Sequence, residues 1–291
     1  MKITPDISLI DIFDAISETH PFHAPSSKTF GLLEKLSKNI FLESGFDSPE
    51  EKKHDAGQFG EIFFPFVKMG SVSSLDIFSS MNELVIFAFY WANRDRYKKI
   101  ADIGANIGLH TILMSRLGWH VKAYEPDPIH LTLLKRNVAL NKLECVAIFE
   151  AAVSDTSGTL DFVRVVGNTT SSHLAGAKEA PYGKLEKLPV QVVDIRTIIP
   201  EVDFIKIDAE GHEKALIEIT TAKDFDNMDM MVEVGTRKNA DAIFEHLSKI
   251  GVNAFTQKTG WNIAEARSEM PDNYRQGSLF ISKKNTMPWG A

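Results

Sequence analysis

The chain has 291 residues, enough for one large α/β domain or for one domain with a smaller appendage. A composition of 44% hydrophobic and 24% charged residues is ordinary for a soluble globular protein. The net charge of −7 leaves no bulk basic surface for a polyanion, which argues against nucleic acid as a partner.

The first 20 residues hold a short apolar patch broken by Asp11 and Asp14, a pattern that does not read as a signal peptide. Residues 8–17 and 29–41 carry apolar positions at helical spacing, and 48–54 read as a charged, proline-containing connection. Residues 57–70 gather Phe59, Phe63, Phe64 and Phe66, which predicts either a strand pair or a packing surface. Treated as exposed, these aromatics suggest that residues 1–80, a helical and irregular extension, cap the substrate side or form a homodimer contact. The clearest helix of this third is 80–97, with Leu84, Phe87, Ala88 and Trp91 on one stripe. Residues 84–92 are the longest apolar run and fall far short of the ~20 that a membrane span needs, so a cytoplasmic protein is expected.

From Lys98 the pattern changes. Short β-rich runs (KKIADIG, HVKAYEP, VAIFEAAV, DFIKIDAEG, DMMVEVG) alternate with amphipathic helices, and VNAFTQ and GSLFISK follow with no helix between them. Such alternation predicts an α/β fold with a doubly wound, mostly parallel sheet, and the final pair must reverse direction. We expect residues 81–291 to form one Rossmann-like domain with seven strands. Residues 154–200 form a substrate-side insertion with strands of its own at 159–165 and 190–193, and its Gly-, Thr- and Ser-rich middle, 167–183, reads as a mobile loop. Cys145 is the single cysteine and reads as a small core residue.

Four constellations carry the chemistry. In Asp102-Ile-Gly104-Ala105-Asn106-Ile-Gly108 a strand ends in a glycine turn and a helix begins at once. Gly104 permits the turn, and Gly108 allows close packing on the strand. A pyrophosphate site wants glycine where Asn106 stands, and a carboxylate such as Asp102 suits an ammonium better. Next, Glu125 ends the following strand, where an acidic residue accepts hydrogen bonds from a ribose diol; Pro126 and Pro128 follow it and open the next helix. Third, Ala152 and Val153 end the third strand and offer a flat apolar wall to a purine. The fourth stretch, 204–213, interrupts a buried strand with Lys206 and Asp208, then adds Glu210, His212 and Glu213. Asp208 falls at the carboxyl edge of the sheet, where open α/β sheets bind ligands.

DIGANIGLHT, AYEPDP, RNVALN, AAVSDTSG, SSHL and IKIDAEGHE, in this order over residues 83–282, resemble the FkbM-type methyltransferases. The resemblance implies the class I methyltransferase fold, S-adenosyl-L-methionine as cofactor, and methylation of a hydroxyl on a sugar, glycan or polyketide-type natural product. On that reading Asp102, Gly104, Ala105, Asn106 and Gly108 hold the methionine end and Glu125 with Pro126 the ribose. Ala152 and Val153 flank the adenine, and Asp208 lies nearest the transferring methyl. The proton acceptor is Asp208, Glu210 or His212, with His110 a further candidate, and the stretch 169–173 is a candidate lid over the acceptor. Asp208 with Glu233 offers a magnesium alternative that lacks a third ligand, so no metal is assigned. The rival readings are a nicotinamide-dependent oxidoreductase, disfavoured by Asn106, and a non-catalytic interaction module, disfavoured by the polar groups at successive strand ends.

Overall fold

The computed structural model describes residues 7–44, 46, 52–70, 72–177 and 183–289. The predicted connection at 48–54 therefore lies outside the described residues except for its last three, and residues 178–182 of the predicted loop lie outside them as well.

Ser8 caps the first helix, α1 (Leu9–Glu18), through a reciprocal capping box with Asp11, and α2 (Lys28–Glu43) starts on the Ser27 hydroxyl. A short antiparallel pair follows, β1 (Lys53–Asp55) with β2 (Glu61–Phe63), then α3 (Ser74–Ser79) and α4 (Met81–Ala92). The aromatic segment forms this strand pair and also packs inward. Phe59 and Phe64 are buried, which corrects the expectation of an exposed aromatic surface. The cause is α4: all residues from Leu84 to Tyr90 are buried, so this helix is apolar all round rather than striped. It lies between α1 and the sheet, and residues from α1 and α2 share one core with Phe204 and Phe280 of the strands.

The α/β part begins with β3 (Lys99–Ile103), α5 (Leu109–Arg116), β4 (His120–Tyr124), α6 (Pro128–Leu140) and β5 (Val146–Phe149). The expected single third strand divides at Glu150. The chain leaves the main sheet there, and β6 (Ala151–Ser154) pairs instead with a second sheet. That sheet is the insertion: β7 (Gly158–Val166), β8 (His173–Leu174) and β9 (Lys184–Asp194) in the order β6-β9-β7-β8, with β7 and β9 antiparallel along their length. The chain returns with β10 (Phe204–Ile207), α7 (Glu213–Glu218), β11 (Asp229–Glu233), α8 (Arg237–Ile250), β12 (Asn253–Thr256), β13 (Asn262–Ile263) and β14 (Ser278–Ser282).

The main sheet runs β13-β12-β14-β11-β10-β3-β4-β5. It has eight strands among the described residues rather than the seven expected, because the two-residue β13 pairs with the end of β12. β14 runs antiparallel to both β11 and β12. Side chains of the central strands alternate between two cores, as period-two geometry requires. Phe204, Met231 and Phe280 face the α4 side, while Ile205, Ile207, Met230 and Val232 share the other core with Leu216 of α7 and Ile243 of α8. Strand order reverses between β3 and β10, so the crevice at their carboxyl ends is where an open sheet binds its ligand. Among the described residues no helix is long and apolar enough to cross a membrane.

His23 ties the N-terminal helices to the far end of the sheet. It is buried, its Nε2 lies 2.7 Å from the Ile16 carbonyl, and the Trp261 indole N–H donates to Nδ1 at 2.9 Å. Burial pushes its pKa down to about 4, with a smaller push from the neighbouring His20, against the Ile16 carbonyl, which favours the protonated ring. A lowered histidine pKa gives stability that is present above pH 6.5 and is lost as pH falls towards 4. We predict that His23 alone removes about 3 kcal/mol over that interval. Urea titrations at pH 7 and pH 4.5 should show a smaller difference for His23→Gln than for the wild type; equal differences would contradict it.

Candidate active site

The site is built on two strand ends that nearly touch. Gly104 has φ +76°, and a Cβ there would lie 1.9 Å from the Asp208 carbonyl oxygen, so only glycine lets the two exits cross. Gly108, at φ +92°, would place a Cβ 2.5 Å from Leu134 Cδ1; it faces α6 rather than the strand predicted for it. Asn106 is also left-handed (φ +52°), and its side-chain oxygen is buried without a hydrogen-bond partner.

Beneath this turn lies a buried ammonium. Lys206 Nζ is 3.5 Å from Asp208 Oδ2, 3.8 Å from Asp102 Oδ1 and 3.4 Å from the Gly104 carbonyl. Register places Lys206 opposite Asp102 on the same face, which explains the meeting. Burial works to lower the lysine pKa, but the carboxylates of Asp208 and Asp102, then Glu83 and Glu233, outweigh it and hold it above the ordinary value. Asp102 is fully buried; its Oδ2 accepts the Thr111 hydroxyl at 2.6 Å, while Oδ1 has no hydrogen-bond partner.

Glu125 closes the other side of the turn. Its two carboxylate oxygens accept the N–H groups of Asn106 and Asp127, both at 2.8 Å. Burial still pushes its pKa up to about 8 against those two donors. Beyond β10, the residues 209–213 are held by Glu213, whose Oε1 accepts from the N–H of Gly211 (2.9 Å) and Ala209 (3.2 Å) and whose Oε2 accepts from Asn239 Nδ2 (2.9 Å). Glu213 is thus the structural carboxylate of this stretch. That leaves Asp208, Glu210 and His212 around the cleft. His212 Nε2 lies 2.7 Å from Ser154 Oγ, which in turn donates to Asp155 at 2.9 Å.

A cleft at the carboxyl ends of the strands runs through these groups. Gly104, Asn106, Glu125, Pro126, Ala152, Val153, Asp208, Glu210 and His212 all line it. Asp102, Ala105 and Gly108 are not among its lining residues. Asp102 lies below the turn, and Ala105 packs against Ala123, Leu131 and Leu134. His110 is likewise turned inward: the Tyr90 hydroxyl is 2.9 Å from its Nδ1, and Glu83 Oε2 lies 2.9 Å from its Nε2 without hydrogen-bond alignment. Among the described residues no three His, Cys, Asp or Glu side chains converge as metal ligands.

Sequence reasoning missed His130 and Phe162, which line the same cleft, and it had offered 169–173 only as a lid over the acceptor. Thr169 instead stands at the Glu125 end, its hydroxyl 2.8 Å from His130 Nε2. The motif SSHL was the available signal; its place on the cleft depends on the β7–β8 pairing and could not be read from spacing.

The model of the FkbM methyltransferase domain matches residues 102–270, more than half of the chain. The chain belongs to this family. It is an S-adenosylmethionine-dependent methyltransferase, which decides against the nicotinamide-dependent reading. Methyltransferase sdnD of Sordaria araneosa is 27% identical over 187 residues, spanning 50% of this chain and 71% of that protein. Among solved structures, a SAM-dependent methyltransferase from Agrobacterium tumefaciens is 11% identical with a TM-score of 0.43, covering 81% of this chain and 72% of that one. An O-methyltransferase from Bacillus cereus in complex with SAH is 10% identical with a TM-score of 0.35, covering 67% and 78%.

The residues of the methyltransferase fit its cofactor. The partnerless Asn106 oxygen and the part-exposed Asp208 carboxylate are acceptors suited to an ammonium, and Glu125 is suited to a diol. Lys206 holds this arrangement, and Lys206→Met would leave two carboxylates facing each other without a counter-charge. We predict a loss of about 3 to 5 kcal/mol in urea unfolding at pH 7. A loss below about 1 kcal/mol would show that the ion pairs do not hold the strand ends.

Proposed function

We propose that this methyltransferase is an O-methyltransferase that acts on a hydroxyl of a sugar, glycan or polyketide-type natural product, with Asp208 orienting the acceptor and His212 taking its proton. The observation that carries this reading is the single cleft in which ammonium acceptors, a buried diol acceptor, an apolar wall and a basic nitrogen follow one another.

Glu125 takes the ribose hydroxyls, each of its oxygens being already oriented by one backbone N–H. Ala152 and Val153 flank the adenine. Asn106 and Asp208 receive the methionine ammonium, a role read in the sequence for Asp102. Asp102, being buried beneath, acts by keeping Lys206 and through it Asp208 in place. S-adenosylmethionine supplies a methyl group on a sulfonium, open to in-line displacement.

An alcohol needs a base within hydrogen-bond reach. Asp208 is committed to Lys206. The Ser154 hydroxyl donates to Asp155, so it can only accept from His212, which fixes the proton on Nε2 and leaves Nδ1 basic. Burial lowers the His212 pKa from 6.5, so the imidazole is neutral at physiological pH. The base form therefore dominates above pH 6.5, and kcat at saturating cofactor should fall only as pH drops below that value. His212→Ala should lower kcat by about 10²- to 10⁴-fold. Transfer of labelled methyl followed by product NMR tests both parts. An unchanged rate in the variant would remove His212 as base, and label in an N-methyl or C-methyl group would remove the hydroxyl acceptor.

A further inference from the structure

We infer that the insertion sheet forms the second wall of the adenosine half of the cleft, and that Arg164 is the residue that positions it. This rests on the cofactor reading above and adds to it a part of the molecule that no motif assigned.

Arg164 projects from β7 onto Asp127, the residue that caps α6. Its Nε lies 2.9 Å from Asp127 Oδ2 and its Nη2 lies 2.7 Å from Oδ1, a two-pronged contact with both partners largely buried (side chains 14% and 1% exposed). Glu186 of β9 backs the guanidinium at 3.6 Å. Asp127 is no remote anchor. Its Oδ1 also accepts the Ile129 N–H, and its own N–H donates to Glu125 Oε1. Asp127 thus joins the insertion to the diol acceptor, its carboxylate taking Arg164 and its backbone N–H donating to Glu125, which in turn accepts from the glycine turn at Asn106.

A second contact bridges the same gap. His130, one turn along α6, holds the Thr169 hydroxyl at 2.8 Å, with its Nδ1 4.0 Å from Glu125. Between these two ties, Phe162, Thr170, Ser172 and Leu174 face the cleft, and Phe162 and Leu174 share a core with Ala152. A planar fork on a carboxylate fixes angle as well as distance, which a lysine in the same place does not. Arg164 therefore sets where this wall stands relative to Glu125, and it acts on the ligand only through Asp127.

The test compares S-adenosylhomocysteine with adenosine, which lacks the methionine half, by calorimetric titration of wild type and Arg164→Lys. The expected result is that Arg164→Lys weakens both ligands by the same factor, about tenfold, which is about 1.4 kcal/mol. A purely structural ion pair would lower the melting temperature and leave the affinities unchanged, and that outcome overturns the inference. So does a loss for S-adenosylhomocysteine with adenosine unaffected. Hydrogen exchange on the wild type decides the matter even if the variant does not fold: adenosine alone should slow exchange across 162–174, and no slowing there would overturn the inference. Wild type that binds neither ligand would overturn the cofactor reading, and this inference with it; binding that is untouched in Arg164→Lys would overturn the inference alone.

Discussion

One buried ammonium governs the arrangement of this site. Lys206 lies in the middle of a strand that is otherwise apolar, and its charge is tolerable because carboxylates surround it, Asp208 and Asp102 first among them. The two carboxylates come from neighbouring parallel strands, so the same interaction that neutralises the lysine also fixes how far each strand extends before it turns. Gly104 then passes within contact distance of the Asp208 carbonyl. Loosening the ammonium would let the two exits part, and with them the acceptors that face the ligand.

Around that centre the molecule uses the same device repeatedly: a buried carboxylate that accepts backbone N–H groups from a loop. Glu125 does so for the glycine turn and the start of α6, Asp127 for the first turn of that helix, and Glu213 for the loop that carries Glu210 and His212. Each converts an irregular segment into a fixed one without a regular hydrogen-bond ladder. Burial raises the carboxyl pKa of Glu125, to about 8, and that of Glu213 as well. Asp127 differs because burial, which raises its pKa, is outweighed by Arg164, the Ile129 N–H and His130 together, so its carboxyl is held below the ordinary value.

Much of this was legible in the sequence, for physical reasons. The change from irregular helices to β-rich runs and amphipathic helices after Lys98 fixed the fold class, since a buried parallel sheet must read that way. The glycine turn, Glu125 and the charged interruption at Lys206 and Asp208 stood out because nothing in a plain core requires them. Three features were not legible. The break at Glu150 falls inside a stretch, VAIFEAAV, that reads as one strand, and only the competing pairing of β6 with β9 reveals it. The burial of Phe59 and Phe64 depends on α4, whose all-round apolar surface admits packing on both sides. Arg164 meets Asp127 from 37 residues away, through a strand register that no local spacing encodes.

The central claim is that one cleft at the carboxyl ends of β3, β4 and β10 holds the cofactor, with Glu125 on its ribose. The most direct measurement is isothermal titration of S-adenosylhomocysteine into the wild type and into Glu125→Ala at one pH. The account predicts saturable binding to the wild type, weakened at least about tenfold in the variant, as the loss of the ribose hydrogen bonds requires. No binding to the wild type, or equal binding to both, would contradict it.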